Sequence, residues 1–250
     1  MARILAIHAH PDDVEILAGG TLALLADRGH QISIVTFTPG DCGSRDLPSD
    51  EIAAVRRREA AAAAAHVGAD YTCLEFRDLC VFNDDPSRRR VTEALRRARP
   101  DIVLTASPVD YMCDHEIASA LVRDTCFAAP IRNYATESAP LDAIPHLYFM
   151  DPMGGKDRKD VVVRPDFVVD VTTTFERKRA MLAEHASQRD WLRAHHGVDE
   201  YLQAMERWTE ERGNLVWLKY GEGFRQYRGH AYPQTDLLQK LLASAVQPLR

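Results

Sequence analysis

Residues 3–13 read Arg-Ile-Leu-Ala-Ile-His-Ala-His-Pro-Asp-Asp, and residues 14–29 continue Val-Glu-Ile-Leu-Ala-Gly-Gly-Thr-Leu-Ala-Leu-Leu-Ala-Asp-Arg-Gly. Arg3–His8 is a short apolar run closed by a turn, which predicts a buried strand. Pro11 stiffens that turn. Acidic residues follow it, and an apolar pattern through Leu17, Leu22 and Leu25 ends at Gly29. That pattern predicts a helix with acidic residues at its start and glycine at its end.

Working outward, the same alternation recurs. Gln31–Phe37 reads as a second strand, Thr38–Pro48 as a Gly/Pro/Asp-rich loop, and Asp50–Val67 as an alanine-rich helix stopped by Gly68. Tyr71–Phe76 and Ile102–Ala106 read as the third and fourth strands, with helices at Ser87–Arg99 and Asp114–Ala128. Strands alternating with helices predict an α/β fold: a Rossmann-like, mainly parallel sheet with helices on both faces. In the order 3-2-1-4-5 the sheet reverses direction between strands 1 and 4, and ligands bind at such a switch point. The loops at His10–Asp13 and Asp110–His115 would then meet there. Past residue 130, strands are expected at Leu147–Met150 and Phe167–Val171. Helices are expected at Thr173–Arg193, Asp199–Arg212 and Thr235–Ser244, and a loop at Asp151–Asp160. Without repeats or a clear linker, residues 1–250 read as one domain with a C-terminal elaboration.

The formal net charge of -6 gives no global basic field for nucleic acid. The basic runs Arg56–Arg58 and Arg88–Arg90 read as wet helix faces. The N-terminus lacks a signal-peptide pattern, and no apolar run approaches the roughly 20 residues that span a bilayer. Cys42, Cys73, Cys80, Cys113 and Cys126 are odd in number and contain no Cys-x-x-Cys pair. A reducing cytoplasm fits that usage better than a disulfide framework.

Two constellations carry chemistry. The first is His10, Asp12 and Asp13, with Glu15 behind. Imidazole nitrogen and carboxylate oxygen are ordinary ligands for zinc and similar divalent ions. His10 and Asp13 would supply two ligands and leave Asp12 free to take a proton from water. On spacing alone, Asp12 and Asp13 serve equally well as helix caps. His8 is expected to face the core. The second constellation is Asp110, Tyr111, Asp114, His115 and Glu116, in which His115 is the candidate third ligand.

Ala9-His10-Pro11-Asp12-Asp13, with Val14-Glu15 and Gly19-Gly20-Thr21-Leu22 behind it, resembles the opening motif of the LmbE-like (PIG-L) de-N-acetylases. The likeness continues through Thr38–Gly43, Arg56–Ala60, Arg99–Val103 and Asp114-His115. A looser likeness, to the bacillithiol-type members, covers Pro130–Tyr134, Lys178–Gln188 and Tyr220–Phe224. The resemblance implies an LmbE-like fold and removal of an N-acetyl group from an N-acetylglucosamine-like sugar or conjugate. It implies zinc, or another divalent ion, on His10, Asp13 and His115, with Asp12 as general base. Arg56 matches an arginine that reaches towards substrate, and Asp41 stands where members often carry glutamate in a loop suited to sugar hydroxyls. The implied partner is a small amino-sugar substrate, with neither nucleic acid nor membrane, and a homo-oligomer is compatible with it.

One departure matters. Members read His-Pro-Asp-His where this chain has Met112-Cys113-Asp114-His115. The missing imidazole stabilises an oxyanion or protonates the leaving amine, and methionine does neither. Tyr111, or Arg225 or His230 from a polar, aromatic segment at residues 220–233 folded over the crevice, would have to supply the donor. The rival readings are a metal- and sugar-binding member with little catalysis, and a nucleotide-binding module. The second is disfavoured because a phosphate site wants Gly-x-Gly-x-x-Gly after the first strand.

Overall fold

A computed structural model describes residues 1–189 and 200–249. Its single sheet has eight strands in the order β3-β2-β1-β4-β5-β7-β6-β8. These are β1 (Arg3–His8), β2 (Gln31–Thr36), β3 (Asp70–Cys73), β4 (Ile102–Thr105), β5 (His146–Met150), β6 (Phe167–Asp170), β7 (Gly221–Gln226) and β8 (Val246–Pro248). The helices are α1 (Asp13–Asp27), α2 (Ser49–Ala65), α3 (Asp85–Ala98), α4 (Cys113–Ala128), α5 (Phe175–Ala183), α6 (Glu200–Asn214) and α7 (Leu237–Leu242). The expected α/β fold and the order 3-2-1-4-5 are both present, with β1 to β5 parallel. The C-terminal elaboration adds β7, β6 and β8, all antiparallel.

A strand sends alternate residues to opposite faces. In β1, Ile4 and Ala6 join a core with Leu22, Ile34, Met181 and Phe224, whereas Leu5 and Ile7 join one with Val35, Val103, Leu121 and Leu147. The first strand is therefore apolar throughout because helices cover both sides of it.

Two expectations are corrected beyond residue 150. The Thr173–Arg193 helix is interrupted: α5 ends at Ala183, residues 186–189 are helical again after a turn, and residues 190–193 lie outside the described set. The segment 220–233, read as a loop over the crevice, instead begins as β7, inside the sheet between β5 and β6. The polar residues of the strand itself, Glu222, Arg225 and Gln226, form internal bonds. Glu222 accepts from the Gly20 and Thr21 amides at 2.9 and 2.8 Å and from Lys178 Nζ at 2.6 Å. Lys178 Nζ also donates to the Ile16 carbonyl at 2.7 Å. Both side chains of this pair are 1% exposed. They pin α1 to the C-terminal half of the chain, and α1 begins at the candidate site.

Candidate active site

β1 ends at His8 and α1 begins at Asp13, so the four residues between them form the turn that carries the motif. Asp12, just before the helix, has φ 93°. A non-glycine residue there is strained, and such strain concentrates at functional sites. β4 lies next to β1, and α4 follows it, so the loop after β4 delivers Asp110 and the first turn of α4 delivers Asp114 and His115. The two loops meet at the switch point, as expected.

Three atoms form a triangle. His10 Nδ1 lies 3.3 Å from Asp13 Oδ2 and 3.3 Å from His115 Nε2, and His115 Nε2 lies 3.4 Å from Asp13 Oδ2. Zinc-to-nitrogen and zinc-to-oxygen bonds of about 2.0–2.1 Å in a tetrahedron place neighbouring ligand atoms about 3.3 Å apart. The predicted ligands therefore match one tetrahedral face. His8 also joins Asp13 and His115 within 4.8 Å. Its Nδ1 sits only 2.6 Å from Asp13 Oδ2, too short for two ligands of one ion, so it is a hydrogen-bond partner that fixes Asp13.

His8 is thus corrected: it is fully buried but faces the site, with its ring edge-on to His115 at 4.7 Å. The two-residue period that relates it to His10 was the available signal.

The outer nitrogens of the His10 and His115 imidazoles face carboxylates. His10 Nε2 lies 3.3 Å from Asp114 Oδ2, and His115 Nδ1 lies 3.1 Å from Asp110 Oδ1, the latter too bent for a good hydrogen bond. This is the arrangement that orients metal-ligating histidines and raises their basicity. Asp114 is held in turn by the Leu79 amide at 2.7 Å, and Asp110 by the Met153 amide at 3.0 Å.

Burial works against charging both imidazoles. For His10 the Asp114 and Asp13 carboxylates overcome it and lift the pKa to about 9, and for His115 Asp13 and Asp110 lift it to about 10. Burial also pushes the Asp13 carboxyl up, but His115, His8 and His10 together hold it well below the usual carboxylate range. Asp12 goes the other way. Burial raises it, and the Arg56 guanidinium only partly opposes that.

Asp12 Oδ2 accepts from Tyr201 at 2.6 Å and from Arg56 Nη2 at 3.4 Å. Tyr201 lies at the start of α6 and had no sequence signal, since an aromatic at helical spacing reads as core. Arg56 is buried and donates to the Pro11 carbonyl at 2.7 Å and the Gly40 carbonyl at 3.4 Å. Gly40 (φ 76°) and Gly43 leave room for its guanidinium, which any Cβ at either position would meet. Asp41 is also buried and accepts from the Asp78 amide at 2.8 Å, tying the loop after β2 to the loop after β3.

Tyr111 is 62% exposed, with its ring edge-on to His115 at 5.6 Å. Met112 stands immediately before α4. Arg225 lies in β7, opposite Phe149, and donates to Ser107 Oγ at 2.7 Å. His230 is exposed beyond the end of that strand. The structure thus brings Tyr111 to the triangle of His10, Asp13 and His115, sets Arg225 against the loop after β4, and leaves His230 at the surface.

Residues 5–126 match the family described as PIG-L, GlcNAc-PI de-N-acetylase. The 4-oxalmesaconate hydratase of Pseudomonas putida is 28% identical over 192 residues, covering 74% of this chain and 73% of that protein. The 1D-myo-inositol 2-acetamido-2-deoxy-alpha-D-glucopyranoside deacetylase of Nakamurella multipartita is 28% identical over 240 residues, covering 76% and 81%. The solved N,N'-diacetylchitobiose deacetylase of Pyrococcus horikoshii is similar at a TM-score of 0.78 and 26% identity, over 94% of this chain and 88% of that one.

Proposed function

The chain belongs to the PIG-L (LmbE-like) family, and on that premise we propose that it is a zinc-type hydrolase removing the N-acetyl group from an N-acetylglucosamine-like sugar or conjugate. The observation that carries the reading is the triangle of His10 Nδ1, Asp13 Oδ2 and His115 Nε2, with the Asp12 carboxylate beside it. A divalent ion, when bound there, supplies Lewis acidity to the amide carbonyl and to the attacking water.

The chain's own residues do the rest. Asp114 and Asp110 hold the two imidazoles with their inner nitrogens turned to the triangle. Asp12, raised by burial, takes the proton from water as general base. Tyr201 and Arg56 hold its carboxylate in place. The Tyr111 phenol, over His115, is the donor for the oxyanion or the leaving amine, in the role that Met112 cannot fill. Arg56, Asp41 and Arg225 form the polar wall towards the sugar.

A screen of N-acetylated amino sugars and their conjugates with the zinc-loaded protein should release acetate from at least one. No release from any of them, with the metal shown to be in place, would overturn the reading.

A second reading rests on Met112 together with the hydratase relative. Addition of water to a carbon–carbon double bond conjugated to a carbonyl forms a C–O bond at one carbon and a C–H bond at the other. The proton that Asp12 takes from water can be returned to that carbon, and no amine leaves, so the absent imidazole costs this reaction less. Offering the same protein an unsaturated oxo-acid, and following loss of the conjugated absorbance, separates the two.

A further inference from the structure

We propose that the mouth of the crevice holds a second, thiolate-containing metal site, formed by Cys42 with Asp41 and Asp78 and completed by Cys80, which takes a thiophilic divalent ion such as zinc, cobalt or cadmium. One ligand atom from each of Cys42, Asp41 and Asp78 lies within 4.8 Å of the other two. The three side chains are fixed as a unit. Asp78 Oδ2 accepts from the Cys42 amide at 2.8 Å, and Asp41 Oδ1 accepts from the Asp78 amide at 2.8 Å.

Charge favours a cation there. Asp41 and Asp78 are each 8% exposed, and two carboxylates this close need compensation. Their hydrogen bonds come from the Cys42 and Asp78 amides and the Thr38 hydroxyl, none of which carries a charge. Arg77 Nε approaches Asp41 Oδ2 only to 3.6 Å, from a side chain that is 78% exposed. Asp78 meets the Thr38 hydroxyl, and His10 Nε2 at 3.9 Å. Once His10 is a neutral ligand through Nδ1, its Nε2 proton serves Asp114 at the shorter distance.

The thiols supply a second, independent observation. Three of the five cysteines are exposed, namely Cys42, Cys80 and Cys113. They come from the loop after β2, the loop after β3 and the start of α4, which are the segments that wall the crevice. Cys80 stands two residues after Asp78 in the same loop after β3. Sulfur and carboxylate oxygen together suit zinc and its softer congeners better than magnesium or calcium. A thiol gives up its proton when it ligates an ion, so binding strengthens with pH.

The His10–Asp13–His115 triangle contains no sulfur, and this makes the two sites separable by spectroscopy. Metal-free protein is titrated with cobalt(II) at about pH 8, where thiols ionise readily. The first equivalent should bring only weak visible bands, and the next an intense near-ultraviolet sulfur-to-cobalt band. Cys42→Ser should remove that band and leave the visible ones, and Cys80→Ser should weaken it. His115→Ala should remove the first phase and keep the sulfur band. In wild type, cadmium should protect Cys42 from alkylation, read by peptide mass spectrometry. No sulfur band at excess cobalt, or no protection, overturns the proposal. So does a band that survives Cys42→Ser, including one lost in Cys113→Ser, which would put the thiolate on the triangle's ion.

Discussion

His10 Nδ1 and His115 Nε2 lie 3.3 Å apart although 105 positions separate them in the chain. Each lies 3.3–3.4 Å from Asp13 Oδ2, and each backs onto its own carboxylate. We predict that His10→Ala, Asp13→Ala and His115→Ala each abolish tight binding of one divalent ion. Asp114→Asn and Asp110→Asn should weaken it about 10- to 100-fold, the usual effect of losing such an outer partner. Competition with a chromophoric chelator measures this. Full occupancy in the first three variants would place the ion elsewhere.

Asp12→Asn should keep the ion and lose about two to four orders of magnitude in turnover, the usual share of a general base. Metal content and rate are measured on the same sample. An active variant would hand the proton to Glu15 or Glu116.

The ligand imidazoles predict a proton-linked metal affinity. In the metal-free protein His10 is lifted to about 9 and His115 to about 10, so both carry protons at neutral pH. An ion needs them neutral, so binding near pH 7 should release up to about two protons, and apparent affinity should rise until pH passes 9 to 10. The sign for folding follows from the same shifts. Raised imidazoles stabilise the metal-free fold fully below their unfolded pKa of about 6.5, and that contribution fades as pH climbs through 9 to 10. Calorimetry in buffers of different ionisation enthalpy counts the protons. A count of zero near pH 7 would contradict the arrangement.

Met112→His restores an imidazole at the start of α4. If the chemistry is amide hydrolysis, Tyr111→Phe should lower turnover by about 100- to 1000-fold, the scale of one oxyanion donor, and Met112→His in that background should restore much of it, with metal content unchanged. Unchanged acetate release, set beside activity on an unsaturated oxo-acid, would favour water addition instead.

Lys178→Met leaves Glu222 buried without its cation and should cost about 3–5 kcal/mol in urea unfolding. Glu222→Gln in that background should recover part of the loss. The buried charge is then gone, while an amide oxygen still accepts from Gly20 and Thr21. If the double variant is the weaker of the two, the charge was not the source of the cost.

The sequence by itself determined the first half of the molecule. Apolar strands alternating with helices set β1 to β5 as a parallel sheet, and the turn His10-Pro11-Asp12-Asp13 was legible as a candidate site, because strand end, proline and helix start are local features of one continuous stretch. His115 was legible only through the expected strand order, and the order proved right. The tertiary structure alone decided the rest. It showed Asp110 and Asp114 behind the imidazoles, His8 on Asp13, and Tyr201 reaching Asp12 across 189 positions. It also turned residues 221–226 from a supposed loop into a buried strand, whose Glu222 is neutralised by Lys178. A carboxylate, a histidine or a lysine reads the same in sequence whether it faces water or a partner. Which one it faces is settled by strand order and by the sheet face it occupies, and those depend on contacts between distant parts of the chain rather than on its neighbours in sequence.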